Sequence, residues 1–145
     1  MRLLQFSNKS LLLSATESGI VKVPASAGSN VAITMDDNSN LAQNDYVMLG
    51  VLGIAKTQIA KINAAVVAGT GIQVDSLTFP VNAGTPITKI PYNQMKFYRA
   101  ATLSGTKTQL GSAVAIDVDD EFTTYSDNTN TTGYAFFTLY NSTTA

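Results

Sequence analysis

The chain contains neither histidine nor cysteine among its 145 residues. Without histidine it lacks the commonest general base and the commonest metal ligand, so every catalytic triad that uses histidine is excluded. Without cysteine it can form no disulfide and no thiolate metal site. These two absences argue against an enzyme. We therefore predict a protein with no catalytic residues and no cofactor, and we assign no metal-binding residues.

Charge is also scarce. Charged residues make up 13% of the chain, roughly half the usual share, and the net charge is −1. No two lysines or arginines are adjacent, whereas binding to a phosphate backbone needs clustered positive charge, so we expect no nucleic-acid partner. A surface of small neutral side chains suits a protein that packs against copies of itself or its neighbours. It is equally typical of short β-rich chains, and both interpretations stay open.

Long apolar runs are missing from the N-terminal region. Residues 1–15 carry two brief leucine clusters interrupted by polar residues, whereas a membrane span needs about 20 apolar residues and a secretory signal needs an unbroken apolar stretch. We expect no membrane partner and synthesis in the cytoplasm of the cell that expresses the chain. Leu3, Leu4 and Phe6 are apolar enough to dock on a partner, and we interpret residues 1–7 as an arm.

Short alternations of apolar and polar residues, separated by Gly, Pro, Asn and Asp, run through most of the chain. Alternation of period two predicts strands with one buried face, and many short strands with regular turn signals predict an all-β barrel or sandwich. In the segment 94–101, Met95 and Phe97 form the predicted core face, and Lys96 and Tyr98 form an aromatic, mildly basic face. The predicted strands are 10–15, 20–23, 30–35, 46–50, 71–74, 77–79, 86–90, 94–101, 113–118, 122–125 and 134–141.

Three segments carry further interpretations. Residues 54–67 fit both helical and strand spacing, and the surrounding β pattern favours a strand. The polar, glycine-containing stretch 102–108 predicts a linker, so we place a domain boundary near Ala101. The acidic residues from Asp117 to Glu121 are typical of solvated turns, and their spacing does not match the calcium-loop motif. An oxygen-rich cluster can still hold calcium, and this question stays open.

The segment from Lys56 to Ala100 resembles a β domain that recurs in structural proteins of tailed-bacteriophage virions. The resemblance is carried by a Leu-x-Phe strand, an Ala-Gly-Thr turn and an Ile-x-Tyr-x-Gln strand. The matching residues are Ile59, Lys61, Ile62, Leu77, Phe79, Ala83, Gly84, Thr85, Ile90, Tyr92 and Gln94. Val81 or Asn82 stands where that family usually has a histidine.

The segment from Phe122 to Ser142 resembles the end of a fibronectin-III or immunoglobulin-like domain. Tyr125 and Asp127 match its Tyr-x-Asp motif, and the aromatic alternation from Tyr134 to Asn141 matches the strand that follows. The strand pattern and the boundary near Ala101 predict a β-barrel or sandwich domain in residues 1–101. The resemblance implies a partial immunoglobulin-like lobe in residues 102–145. The chain ends before the last strand of such a lobe, so we expect a neighbouring subunit to complete its open edge.

Together the two resemblances imply a non-enzymatic virion protein, and first of all a capsid decoration or cement protein. The implied partners are the major capsid protein or other virion proteins, together with copies of the chain in a homo-oligomer, so that several weak contacts act at once. A neck, tail or fibre component is the alternative within this class, and a carbohydrate-binding β module that uses Tyr98 and Tyr92 is the alternative outside it. The candidate subunit contacts are Leu3, Leu4, Phe6, Tyr134, Phe136 and Tyr140.

Overall fold

The computed structural model describes residues 2–128 and 132–144, so Met1 of the predicted arm and Ala145 lie outside the described residues. Strands dominate this range, and the prediction of an all-β fold is confirmed. The elements are β1 (Arg2–Ser7), α1 (Lys9–Leu12), β2 (Thr16–Ile20), β3 (Gly28–Ile33), β4 (Tyr46–Leu49), β5 (Gln58–Lys61), β6 (Ile72–Leu77), β7 (Pro86–Ile90), β8 (Gln94–Ala100), β9 (Thr108–Ala115), β10 (Phe122–Asp127) and β11 (Tyr134–Tyr140).

Six strands form a closed ring in the first half of the fold. Strands β2, β7, β4 and β5 make one antiparallel sheet, and β3 pairs with β6. Single bridges join the two sheets on both sides, Val21 to Met35 and Ile62 to Val74. The ring encloses a core of aliphatic side chains, which are Val21, Ile33, Met35, Leu41, Val47, Leu49, Ala60, Ile62, Ile72, Val74, Leu77, Val81 and Ile87.

The remaining strands build a second core. Strand β1 pairs with β10 along its whole length, and β8 lies between β9 and β11. Phe97 of β8 is fully buried, with its ring stacked on Tyr125 and tilted against Phe6. The prediction that Met95 and Phe97 form the core face of their strand is therefore confirmed.

Strand β4 belongs to both cores. Val47 and Leu49 face the ring, whereas Tyr46 and Met48 face the second core, because successive side chains of a strand point to opposite sides. Strand β7 is shared in the same way, with Ile87 in the ring core and Ile90 in the second core. Both isoleucines are buried, and the neighbouring strand β2 has an irregularity between Glu17 and Gly19.

Two local predictions have opposite outcomes. The strand predicted at residues 10–15 is wrong, because residues 9–12 form the single helical turn α1. Only Leu11 of the three consecutive leucines is buried there, as expected when a turn presents one side to the core. The strand interpretation of residues 54–67 is confirmed for β5, which pairs with β4, and turns flank it.

The strand pairings cross the boundary predicted near Ala101. Strand β8 precedes that boundary and β9 and β11 follow it, yet the three form one sheet. Strand β1, at the opposite end of the chain, pairs with β10. The predicted linker joins the antiparallel neighbours β8 and β9 as a hairpin connection. The division into a domain of residues 1–101 and a lobe of residues 102–145 stays a prediction.

Candidate functional site

The predicted N-terminal arm is a strand of the protein's own fold. Leu4 and Phe6 point inward, and the centroids of the Phe6 and Phe137 rings are 4.5 Å apart. Because alternate residues of β1 share a face, Leu3 points outward and is 56% exposed. Leu4 and Phe6 are thus used within the chain and are not retained as subunit contacts, whereas Leu3 remains a candidate.

The other three predicted contact residues lie together on the outer face of the sheet formed by β11, β8 and β9. Ala135, Phe137 and Leu139 of β11 pack toward the second core, so the alternate residues point outward. Across the strands Phe136 is opposite Tyr98, and Tyr140 is opposite Gln94. We call this surface the aromatic face, and its members are Lys96, Tyr98, Lys107, Tyr134, Phe136 and Tyr140.

Two lysines cover rings of the aromatic face. The Lys96 Nζ atom lies 3.7 Å from the centre of the Tyr140 ring, and the Lys107 Nζ atom lies 4.6 Å from the centre of the Phe136 ring. Each contact is a cation–π interaction worth about 0.5–1 kcal/mol at an exposed site. A sugar ring would have to displace these ammonium groups before it could stack there. Tyr92, the other tyrosine proposed for carbohydrate binding, packs against the second core.

Strand β11 lies at the edge of its sheet. It pairs with β8 on one side, and no described strand pairs with its other side. The β8–β11 ladder runs over seven residue pairs without a register shift, whereas the opposite edge strand, β9, is irregular and contains Gly111 at a φ of 61°. Bulges protect sheet edges against further pairing. Strand β11 is therefore the edge of this sheet that is better suited to accept another strand.

The start of β11 is held in place by the N-terminal strand. The Arg2 guanidinium donates hydrogen bonds to the carbonyl oxygens of Gly133 at 3.0 Å and Thr132 at 3.4 Å. Gly133 itself has a φ of 88°, and a Cβ atom there would lie 2.6 Å from the Ala100 carbonyl oxygen. A glycine is thus required where the chain enters the edge strand.

The acidic residues from Asp117 to Glu121 form a turn that is organised by a buried amide. The Asn8 side chain is fully buried and donates to the carbonyl oxygens of Asp117 at 2.8 Å and Asp120 at 3.0 Å. Its own oxygen accepts a hydrogen bond from the Thr123 hydroxyl. No group of three acidic side chains that could hold a metal occurs in residues 2–128 and 132–144. Sequence reasoning missed Asn8, because a single asparagine in a polar stretch carries no distinguishing pattern.

The pKa of the Asp117 carboxyl is raised above 3.8, first by its hydrogen bond with the Asp119 carboxyl, then by burial and by the negative charges of Asp119 and Asp120. The folded chain therefore binds this proton more tightly than the unfolded chain does. Stability from this group is complete below pH 3.8 and falls as the pH rises through the folded pKa. We expect Asp117→Asn to raise the melting temperature at neutral pH and to flatten its pH dependence above 3.8, as measured by thermal unfolding followed by circular dichroism.

Asp37 provides a control of opposite sign. The Ser39 backbone amide donates to its carboxylate at 2.9 Å and lowers its pKa below 3.8. The charged form is favoured by folding, so this contribution is present above pH 3.8 and is lost as the pH falls through the folded pKa. Asp37→Asn should lower the melting temperature at neutral pH. Equal effects of the two substitutions would contradict the assignment of these shifts.

A concave surface lies between α1, the end of β4 and the start of β7. It is a cleft of about 590 Å³, within the range of ligand pockets, and its lining is mainly apolar. Met48, Val51 and Pro86 form part of its wall, and Lys9 and Glu121 line it with opposite charges. Sequence reasoning missed this cleft, because its residues come from four separate parts of the chain.

No protein-family model matches the chain, and neither the curated proteins nor the solved structures include a significant match to it. In the described residues no helix has both the length and the apolar character needed to cross a membrane.

Proposed function

We propose that the chain is a non-enzymatic structural protein of a tailed-phage virion, and specifically a decoration or cement protein that binds the outside of the shell. The observation that carries this proposal is the regular edge of β11, which no described strand covers on its outer side. The partner is an extended segment of the major capsid protein that adds to this edge as a further strand. A neck, tail or fibre protein with an equivalent segment is the alternative partner.

Strand addition fits the chemistry of this edge. Main-chain hydrogen bonds to an edge strand supply affinity, and side chains that flank the edge select the register. The flanking side chains of β11 include Tyr134, which is half exposed, and Phe136 under its lysine. Aromatic residues of this kind are enriched at protein interfaces, and the low charge of the chain reduces the cost of desolvation. The resemblance of residues 122–142 to an incomplete immunoglobulin-like lobe supports the same edge.

A non-enzymatic role agrees with the side chains that line the cleft. The described polar side chains there are those of Lys9, Thr88 and Glu121, surrounded by apolar groups. The chain has no histidine or cysteine that could join them. The proposal therefore assigns function to surfaces that bind other proteins.

Thr138→Glu tests the edge with little effect on the fold. Thr138 is exposed in the middle of β11 and lies opposite Lys96, so a glutamate there gains a cross-strand partner of opposite charge. The same charge disfavours the pairing of a further strand with this edge. We expect at least about tenfold weaker binding to heads assembled from the major capsid protein of the same phage, measured by co-sedimentation, since tenfold is only about 1.4 kcal/mol. Ser104→Glu, in the exposed loop between β8 and β9, should bind like the unmodified chain.

Each outcome separates the alternatives. Unchanged binding of Thr138→Glu would contradict the role of the β11 edge. If the unmodified chain binds purified tails or necks but not heads, the neck, tail or fibre alternative replaces decoration. If it binds no virion part, the virion assignment is wrong. Deleting β11 is a poorer experiment, because it would uncover Met95 and Phe97 of the second core.

A further inference from the structure

A highly exposed leucine follows the apolar cleft residue Leu12 in the chain. Leu12 lines the cleft, and the next residue, Leu13, is 88% exposed, more than any other large apolar side chain among the described residues. A single exposed leucine is ordinary, but this one directly follows a residue that lines an open apolar cleft. Both features belong to the segment that follows β1, and neither contributes to the β11 edge.

The charges in the cleft are self-complementary. Lys9 and Glu121 both line it, and neither forms an ion pair with the other or with another described residue within 4 Å. Two copies related by a two-fold axis place the same patch against itself, so residue i of one copy meets residue j of the other, and j meets i. A patch that carries one cation and one anion can thus form two ion pairs with its own copy.

We propose that a second copy of this chain occupies the cleft in a two-fold dimer, with Leu13 of each copy inserted into the cleft of the other. Lys9 of each copy then faces Glu121 of its partner at the rim of the cleft. Met48, which is buried in the shared strand β4, gives the cleft a firm apolar wall. The leucines supply most of the affinity, and the charges fix the orientation.

This dimer goes beyond the proposed virion role and does not depend on it. It requires only the cleft, Leu13 and the two charges, all of which lie outside β11. Where both proposals hold, each dimer presents two β11 edges, and simultaneous binding through both strengthens attachment to a repetitive shell. The two proposals fail separately, because one is read from binding to heads and the other from mass in solution.

Sedimentation equilibrium of the full chain over a range of concentrations tests the dimer. The unmodified chain should have twice the mass of one copy at high micromolar concentration. Leu13→Asp should weaken the dimer by at least about 100-fold, since two leucines are lost from each dimer. Leu103→Asp is the matched control, because Leu103 is 66% exposed in the loop between β8 and β9, and it should leave the dimer unchanged. Circular dichroism establishes that both variants are folded.

Charge reversal tests the orientation. Lys9→Glu alone and Glu121→Lys alone should each weaken the dimer, because each places two like-charged pairs across the contact. An equal mixture of the two variants should restore a dimer, since each glutamate then meets a lysine of the other variant. Restoration would exclude a merely structural effect of either substitution.

Three results would overturn the proposal. The first is a monomer of the unmodified chain at high micromolar concentration, which would leave a small apolar ligand as the occupant to seek. The second is an oligomer whose mass does not change with Leu13→Asp. The third is a mixture of the charge variants that dissociates as readily as each variant alone.

Discussion

Replacing Asn8 with alanine is expected to lower the free energy of unfolding by about 2 to 5 kcal/mol, because it removes three hydrogen bonds of one buried side chain at once. The Asn8 amide donates to the carbonyl oxygens of Asp117 and Asp120 and accepts from the Thr123 hydroxyl. The Asn8 side chain is fully buried and Thr123 nearly so. A lost hydrogen bond costs about 0.5–1.5 kcal/mol, and a buried group left without any partner costs about 1–3 kcal/mol. The three losses together place Asn8→Ala among the most damaging single changes.

Urea unfolding followed by circular dichroism measures this loss. Asn40→Ala serves as the control, because Asn40 is exposed and its side chain makes no described hydrogen bond, so its effect should stay within about 0.5 kcal/mol. The acidic turn should also become more accessible to proteases in Asn8→Ala. A loss below about 1 kcal/mol for Asn8→Ala would mean that water replaces the amide at little cost.

Phe97→Ala is expected to cost about 3 to 5 kcal/mol, the range for removing a buried phenylalanine ring. Phe97 lies in the central strand β8, with its ring 5.3 Å from that of Tyr125 in β10 and 5.5 Å from that of Phe6 in β1. Removing the ring leaves a cavity where β8 meets β1 and β10, which come from the two ends of the chain. Phe122→Ala provides a comparison, because that ring is 43% exposed and its loss should cost much less.

The same variant tests whether the two cores unfold together. Strand β4 contributes Val47 to one core and Met48 to the other, so loosening the second core should also loosen the ring. In hydrogen exchange followed by mass spectrometry, peptides covering β6 and β8 should lose protection in parallel in Phe97→Ala. If β6 keeps its protection while β8 loses it, the second core is a separate folding unit.

Local alternation predicted much of the fold, because the apolar and polar residues that alternate within a strand show which of its faces is buried. Strands β4, β7, β8 and β11 lie close to the predicted ranges, and Met95 and Phe97 are buried as expected. The strand with which a given strand pairs cannot be read from its own residues. Nothing in the segment 2–7 indicates that Arg2 pairs with Asp127, and so Leu4 and Phe6 looked free to bind a partner.

The candidate surfaces were predictable in part for the same reason. The aromatic and basic character of one face of β8 follows from the alternation of Lys96 and Tyr98, but its lysine-covered rings depend on which strand lies beside it. No sequence pattern indicates the buried side-chain amides. Gln58, for example, accepts hydrogen bonds from the backbone amides of Thr78 and Phe79 and donates to the Phe79 carbonyl oxygen, so one side chain fills the place of a strand partner.

The pairing of β1 with β10 also imposes an order on synthesis. Every strand of the six-stranded ring lies within residues 16–90, so the ring can close as soon as that stretch has left the ribosome. Strand β1 emerges first but has no partner until residues 122–127 follow. Its apolar side chains, Leu4 and Phe6, therefore remain without this partner during the synthesis of more than a hundred residues, and the chain can join its two ends only after its middle has been made.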